Sequence, residues 1–472
     1  MLLKRAGRNI TFKALSELVP RALAFIVFAY AARKLGAGDF GKFSFAVQYA
    51  MLFGVIVDPG MNILFIRDVA ADRALAPRYI NQFAAIKSGL AIAAYLAAVS
   101  VIVALGYPSQ MVALVAIVGL MPIALAGLKF VGAIFTSWEK IEYEALINVA
   151  DRIVMVPVAC GILYLGYGLL ALSSVIVATH ALSVLIGVLF VSRYISPVRL
   201  SVDWSFCVSI LRRVWPLAAM VFLATVYMRG DVVMLSLLGS TDEQIGWYCA
   251  GVRIIDVIGA VPFLVMAGLF PIFSDLYENN RQRAGQLFRT TQKLMCAAAF
   301  PAAVGGFFVA DSAVALIYGE QYLPTSVAFK IVTWRIVFVF MNVLFFQALI
   351  ATRGEKQAAL VAGLGASVNI GLNLWFIPRY GYVGAAASGV LSGLAVCAFL
   401  ALSIRRALPG SLDLRAALKP LAGVVIMAVV LTAIGQRSIA VLVPCGVVVY
   451  GLTQLAFHTF SAEELGALRG LW

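Results

Sequence analysis

Stretches of apolar residues recur along the whole chain, and about 20 such residues in a helix cross the hydrocarbon core of a bilayer. They fall at 11–33, 43–66, 84–105, 109–136, 144–165, 169–192, 213–237, 246–272, 291–311, 328–350, 358–377, 383–404, 417–435 and 438–457. No single water-soluble core can bury that many. Hydrophobic residues make up 63% of the chain, against about 45–50% in soluble domains. Charged residues are 12%, about half the soluble norm. The breaks carry turn chemistry, as at Gly106-Tyr107-Pro108, Gly166-Tyr167-Gly168 and Pro378-Arg379-Tyr380-Gly381. The fold class expected is an all-α polytopic membrane protein with about 14 transmembrane helices.

The formal net charge of +14 would suggest nucleic acid in a soluble domain. Here the positions of the charges matter first, because cytoplasmic loops collect Lys and Arg. With the N-terminus inside, and residues in the terminal turn of a span counted with the adjoining loop, 24 of the 36 Lys and Arg lie in cytoplasmic loops and tails. Five (Arg33, Lys34, Lys42, Arg379 and Arg437) lie in the opposite loops, and seven lie within spans. That bias places both termini in the cytoplasm. No basic segment interleaved with aromatics stands outside the spans, so nucleic acid is not an expected partner. Lys4, Arg5 and Arg8 precede the first span, Lys13 lies in its first turn, and no small-residue cleavage site follows it. That helix is expected to stay in the membrane.

Catalytic and metal chemistry find no support. The six cysteines are scattered without a CxxC, and His180 and His458 are too far apart to build a ligand set. There is no GxxxxGK[ST] phosphate loop, no HExxH and no paired catalytic carboxylates. The external loops are short, with the longest near 311–325. The chain is therefore expected to be no enzyme, with no cofactor and no metal.

A repeat is visible inside the chain. Leu35-Gly36 followed by Gly41-Lys42-Phe43 and Ala46 recurs as Leu238-Gly239, then Gly246-Trp247-Tyr248 and Ala250. Gly166-Tyr167 with Ala171 and Ser173 parallels Gly381-Tyr382 with Ala386 and Ser388. The spacing divides the chain into a six-helix bundle at 1–200, a second at 201–410, and two further helices with a cytoplasmic tail at 411–472. Six helices per repeat give both halves the same orientation, related by a pseudo-two-fold axis along the membrane normal.

Seven basic residues stand inside spans: Arg21, Lys129, Arg152, Arg229, Arg253, Lys330 and Arg335. A charge there costs at least a few kcal/mol, so such residues face a partner or a water-filled cavity. Arg152 beside Asp151, Lys129 and Lys330 suit structural pairing or snorkelling. Arg21 follows Pro20 near the middle of the first span and shares a helix face with Glu17. Arg229 and Asp231 lie on the seventh span, and Arg253 and Asp256 on the eighth. Arg21, Arg229 and Arg253 are the candidate binding site for a diphosphate, because guanidinium forks suit phosphate oxygens. Glu17, Asp231 and Asp256 are candidates for binding a coupling ion or for pairing with those arginines.

Three stretches together resemble the polysaccharide transport branch of the MOP (multidrug/oligosaccharidyl-lipid/polysaccharide) exporter superfamily. The first is Leu35-Gly36-Ala37-Gly38-Asp39-Phe40-Gly41-Lys42-Phe43-Ser44 with Asp58-Pro59-Gly60 and Arg67-Asp68. The second runs from Arg229-Gly230-Asp231 through Leu238-Gly239 to Gly246-Trp247-Tyr248-Cys249-Ala250 and Phe270-Pro271. The third is Thr352-Arg353-Gly354 with Asn369, Asn373, Ile377-Pro378, Tyr380-Gly381 and Gly384-Ala385-Ala386. The resemblance implies a Wzx-like flippase of the bacterial inner membrane. Such proteins carry undecaprenyl-diphosphate-linked oligosaccharides, the repeat units of O-antigen or exopolysaccharide, across the bilayer by alternating access. The partners implied are that lipid-linked anionic oligosaccharide, membrane lipid, and polysaccharide polymerase and chain-length proteins. A lipid II flippase shares the cationic site and stays open as an alternative. A multidrug exporter of the same superfamily would favour intramembrane acids over arginines. A membrane glycosyltransferase or ligase would need a larger outer loop.

Overall fold

The computed structural model describes residues 2–197, 201–435 and 438–460, with side chains described throughout except at 2–19, 141, 355 and 414. Every regular element among the described residues is helical. Two compact units divide at Gly246 and Trp247.

The first unit starts with α1 (Leu2–Val57). Its 56 residues would make a rod of about 84 Å, nearly three times the hydrocarbon thickness of about 30 Å. It is instead two limbs, broken at Gly36, where φ is 79° and ψ is 170°. Only glycine adopts that conformation without strain. Asp58-Pro59-Gly60 ends the second limb, and α2 (Met61–Ala71) follows. Next come α3 (Ala76–Ala104), α4 (Ser109–Val118), α5 (Met121–Ser137), α6 (Ile141–Tyr164), α7 (Leu169–Tyr194) and α8 (Trp204–Leu237). α1 packs on α3, α6 and α8, and α5 packs on α2, α6 and α7. Phe65, Phe83 and Phe130 meet at ring-centroid distances of 5.4–6.2 Å and fill the space among α2, α3 and α5. The start of α8 is tied to α3: Asp203 accepts from the Phe206 N–H and pairs with Arg78 at 2.9 Å. Hydrogen bonds from Ser205, Phe206 and Arg78 hold the Asp203 carboxyl down at about 2.

The second unit takes most of α9 (Asp242–Ile258), then α10 (Ala260–Asn279), α11 (Arg281–Tyr318), α12 (Thr325–Val332), α13 (Arg335–Ala351) and α14 (Glu355–Ala407). α14 repeats the device of α1, with Gly381 non-helical at φ 54° and ψ −133°. Buried Asn369 donates to Ser392 across that break, and Asn373 donates to Asn369. α15 (Leu418–Ile434) and α16 (Ile439–Ala456) form a hairpin against α11 through Val304, Val424, Met427, Leu431 and Leu442.

Among the described residues, twelve helical segments are long and apolar enough to cross a membrane. Two of them, Pro20–Ala71 and Lys356–Ala407, contain the breaks at Gly36 and Gly381. Taken on either side of those glycines the twelve become fourteen stretches, each overlapping one of the sequence spans. The helices overrun the apolar spans; α11 has 38 residues where apolarity marks 291–311. Apolarity reports the hydrocarbon-embedded part alone, while the backbone ladder continues into the interface. The span at 246–272 is also broken, at Gly259 between α9 and α10.

The repeat seen in the sequence has a physical consequence within the first unit. A Cβ on Gly41 would lie 1.8 Å from the Asp242 carbonyl oxygen, and a Cβ on Gly246 would lie 2.1 Å from the Ala37 carbonyl oxygen. The contact is reciprocal: each glycine makes room for the carbonyl four residues before the other. α1 and the first turn of α9 cross here backbone to backbone. Gly41→Ala or Gly246→Ala must force the crossing apart, an overpacking cost of about 1–3 kcal/mol. The double variant relieves one strain rather than two and is expected to cost less than the sum. Melting in detergent checks this; single variants that melt like the parent would contradict it.

Candidate functional site

The candidate arginines are distributed over both units. Arg21 lies on the first limb of α1 and is exposed, as is Ile26 on the same limb. Arg229 lies on α8, which packs on α1, and is half-buried. Its Nη1 donates to the Gln48 carboxamide oxygen on the second limb of α1, an uncharged partner that orients the guanidinium. Asp231 is 2% exposed, while Met228 on α8 is 62% exposed. Two residues apart on a helix, Arg229 and Asp231 point to nearly opposite faces. Arg253 and Asp256 belong to α9 in the second unit, Arg253 half-buried and Asp256 exposed. Both lie within electrostatic reach of Tyr318, whose hydroxyl donates to the Ala250 carbonyl at 2.9 Å. The side chain of Glu17 lies outside the described residues.

Several residues of the stretches that carry the family resemblance make contacts within the architecture. Asp39 pairs with Lys42 at 3.0 Å. Asp68 accepts from Tyr79 and Arg213. Arg353, with φ of 61°, sits in the turn from α13 to α14 and pairs with Glu278. Of the remaining intramembrane cations, Lys330 pairs with Asp311 at 2.7 Å, and Arg152 lies 3.6 Å from Asp151.

Two buried polar pairs in the first unit escaped the sequence reading. Lys87, grouped there with loop cations, lies within α3 at 7% exposure, and its Nζ is 2.9 Å from Asp58 Oδ1. Asp58 also accepts from Asn62 at 2.7 Å. The signal was present: Ile80, Phe83, Lys87, Ala91 and Ala94 recur at helical spacing and are all buried, which puts Lys87 on the core face. His180, set aside as isolated, is 0% exposed, and Asp151 is 2% exposed. His180 Nδ1 is 2.9 Å from Asp151 Oδ1, joining α7 to α6. Leu172, Ile176 and His180 share one buried stripe of α7.

Replacing His180 alone leaves a buried carboxyl group short of a partner, at about 1–3 kcal/mol. His180→Leu is therefore expected to lower stability more than His180→Leu combined with Asp151→Leu. Unfolding curves in mixed micelles give both numbers; a single variant as stable as the parent would contradict the pairing.

The match to known proteins follows this architecture. The family described as polysaccharide biosynthesis protein matches residues 6–277, more than half of the chain, and the family described as lipid II flippase MurJ matches residues 257–462. An uncharacterized membrane protein of Methanocaldococcus jannaschii is 24% identical over 139 residues, a stretch covering 29% of this chain and 27% of that relative. Among solved structures, the lipid II flippase MurJ in an inward closed conformation is similar with a TM-score of 0.79 at 15% identity, over 95% of this chain and 99% of that one. An inward-facing multidrug resistance MATE family transporter of the MOP superfamily gives 0.66 at 13% identity, over 84% and 98%. The Vibrio cholerae MATE transporter VcmN in its bent form gives 0.56 at 13% identity, over 86% and 98%. With a fold similar to those MurJ and MATE structures and a family match across its first half and beyond, the chain belongs to the polysaccharide biosynthesis protein family.

Proposed function

We propose that this protein is a flippase for an undecaprenyl-diphosphate-linked oligosaccharide, working by alternating access in the bacterial cytoplasmic membrane. The observation that carries the reading is a set of three arginines within the apolar spans of α1, α8 and α9. Arg21, Arg229 and Arg253 stand on membrane-spanning helices, where a charge is costly, in a chain whose family is that of polysaccharide biosynthesis. Guanidinium forks match phosphate oxygens two at a time. In this reading the three arginines hold the diphosphate while the sugar crosses, and Asp231, Asp256 and Glu17 bind the coupling ion or rest against the arginines between cycles. Movement runs on a gradient, because the sequence has no nucleotide-binding motif. Both termini lie in the cytoplasm, following the charge bias, and polymerase and chain-length proteins receive the product outside.

A lipid II flippase is the second reading, favoured by the family match over residues 257–462 and by the TM-score of 0.79. Lipid II is also a polyprenyl diphosphate carrying a sugar, so the same arginines would serve it. A strain lacking this protein tells the two apart: loss of surface polysaccharide supports the first reading, and arrest of wall synthesis the second.

Each lost charge-assisted hydrogen bond costs roughly 1.5–3 kcal/mol, so Arg→Ala at any of the three positions is expected to weaken transport ten- to a hundred-fold at equal protein abundance. Arg→Lys is expected to restore part of it, since a point charge lacks the second contact. Surface polysaccharide and membrane protein level are measured together. Full transport by all three alanine variants at parental abundance would remove the site, and transport loss that tracks abundance would make these residues structural.

A further inference from the structure

One rim of the second unit, where α11 begins, α14 ends and α15 begins, carries a group of exposed cations. Arg289 stands on α11, and Arg405 and Arg406 in the last turn of α14. Arg415 stands in the 3₁₀ turn before α15, and Lys419 in the first turn of α15. The segment joining α14 to α15 is fixed to α11 at two points. Arg289 Nη2 donates to the Gly410 carbonyl at 2.7 Å, and the Asp413 N–H donates to the Gln292 side-chain oxygen at 3.4 Å.

The segments that bear these cations offer little counter-charge. Residues 279–310 contain no acid, and residues 356–462 contain only Asp413. Its carboxylate is engaged by the Arg415 backbone N–H at 2.9 Å. The first unit treats its loop cations differently: Arg67 and Arg213 pair with Asp68, and Arg78 pairs with Asp203. Orientation in the membrane depends on how many Lys and Arg a loop carries, a count that paired and bare cations satisfy equally. Orientation therefore does not account for a bare group.

Depth points to what faces the group. Arg289 lies two residues before the apolar span that begins at 291, and Arg405 and Arg406 directly follow the span that ends at 404. Arg415 and Lys419 lie two residues to either side of the span limit at 417. All five stand where hydrocarbon gives way to headgroups. On the hydrocarbon side are exposed apolar stripes at helical spacing. Leu391, Leu394 and Leu402 share a face of α14 with Arg405, and Leu418, Leu421 and Val425 share a face of α15. A soluble polyanion would meet the cations alone, whereas a phospholipid meets cations and stripes together.

We propose that this rim is a binding surface for anionic phospholipid. Its headgroup phosphates are held by Arg405, Arg406, Arg415 and Lys419, and its acyl chains lie along the stripes of α14 and α15. Arg289 anchors the joining segment and adds its charge. Each cation at an anionic lipid surface is worth about a five-fold change in affinity, so the group selects anionic over neutral lipid. The surface is separate from the candidate arginines and does not rest on the flippase reading.

The test uses the full-length protein in phosphatidylcholine nanodiscs doped with a photoactivatable lipid that carries a diazirine near the glycerol end of one acyl chain. The probe is either phosphatidylglycerol or phosphatidylcholine, and adducts are mapped by peptide after illumination. Peptides from the end of α14 and the start of α15 are expected to take roughly ten-fold more label from the phosphatidylglycerol probe. Raising the ionic strength until the Debye length falls from about 10 Å to about 3 Å is expected to remove most of that preference. The salt series needs no substitution, so it reads the surface even where a variant inserts poorly. Arg405→Gln, Arg406→Gln and Arg415→Gln together are expected to cut the preference several-fold, and Lys at the same three positions to keep most of it. Equal labelling of these peptides by both probes, or a preference that salt does not reduce, would overturn the surface. Retention of inorganic polyphosphate by the protein in pure phosphatidylcholine nanodiscs, undiminished when phosphatidylglycerol is added, would overturn its assignment to lipid.

Discussion

Hydrocarbon offers no hydrogen-bond partner, and that single property governs where this chain bends, pairs and binds. Inside it every peptide group must be satisfied by its own helix, so the chain crosses as helices and turns only where glycine, proline or polar residues let it. Charges obey the same rule. Lys87 finds Asp58, Arg152 and His180 find Asp151, and Lys330 finds Asp311, each pair within one unit. Arg229 is oriented by the neutral amide of Gln48, and Arg21 is exposed on an apolar limb.

Backbone geometry carries a second consequence. Gly36 and Gly381 each divide what would otherwise be one overlong helix. At Gly41 and Gly246 the absence of a side chain has the opposite effect, bringing two helices together until carbonyl oxygens lie 1.8 and 2.1 Å from where a Cβ would stand. A crossing this close holds by backbone packing and leaves no room for ordinary side-chain adjustment.

Much of this was legible in the sequence because the bilayer makes apolarity a measure of length. All the apolar spans reappear as helices, and the glycines of the internal repeat sit at turns and at the close crossing. What stayed hidden has a common cause. Lys87 and His180 are polar residues on buried helical faces, and their partners Asp58 and Asp151 each lie 29 residues away along the chain. Nothing local distinguishes such a pair from two solvated side chains; the third dimension is needed to bring α3 to the end of α1, and α7 to α6. Position along a span alone also made Lys87 look like a loop residue, where its spacing from Phe83 and Ala91 marks the core face. The breaks at Gly259 and near Thr333 were missed for a different reason: a kink between two apolar helices leaves the apolar run unbroken.

Transfer of the substrate itself is the decisive quantity. Purified protein reconstituted into liposomes, with a fluorescent polyprenyl-diphosphate oligosaccharide in one leaflet, measures it directly through the fraction that becomes accessible to an external quencher. Transfer well above that of protein-free liposomes, selective for the diphosphate-linked sugar over a phospholipid of equal charge, is the expected result. Equal movement of both lipids, or of neither, would contradict the claim that this chain carries a lipid-linked anionic oligosaccharide.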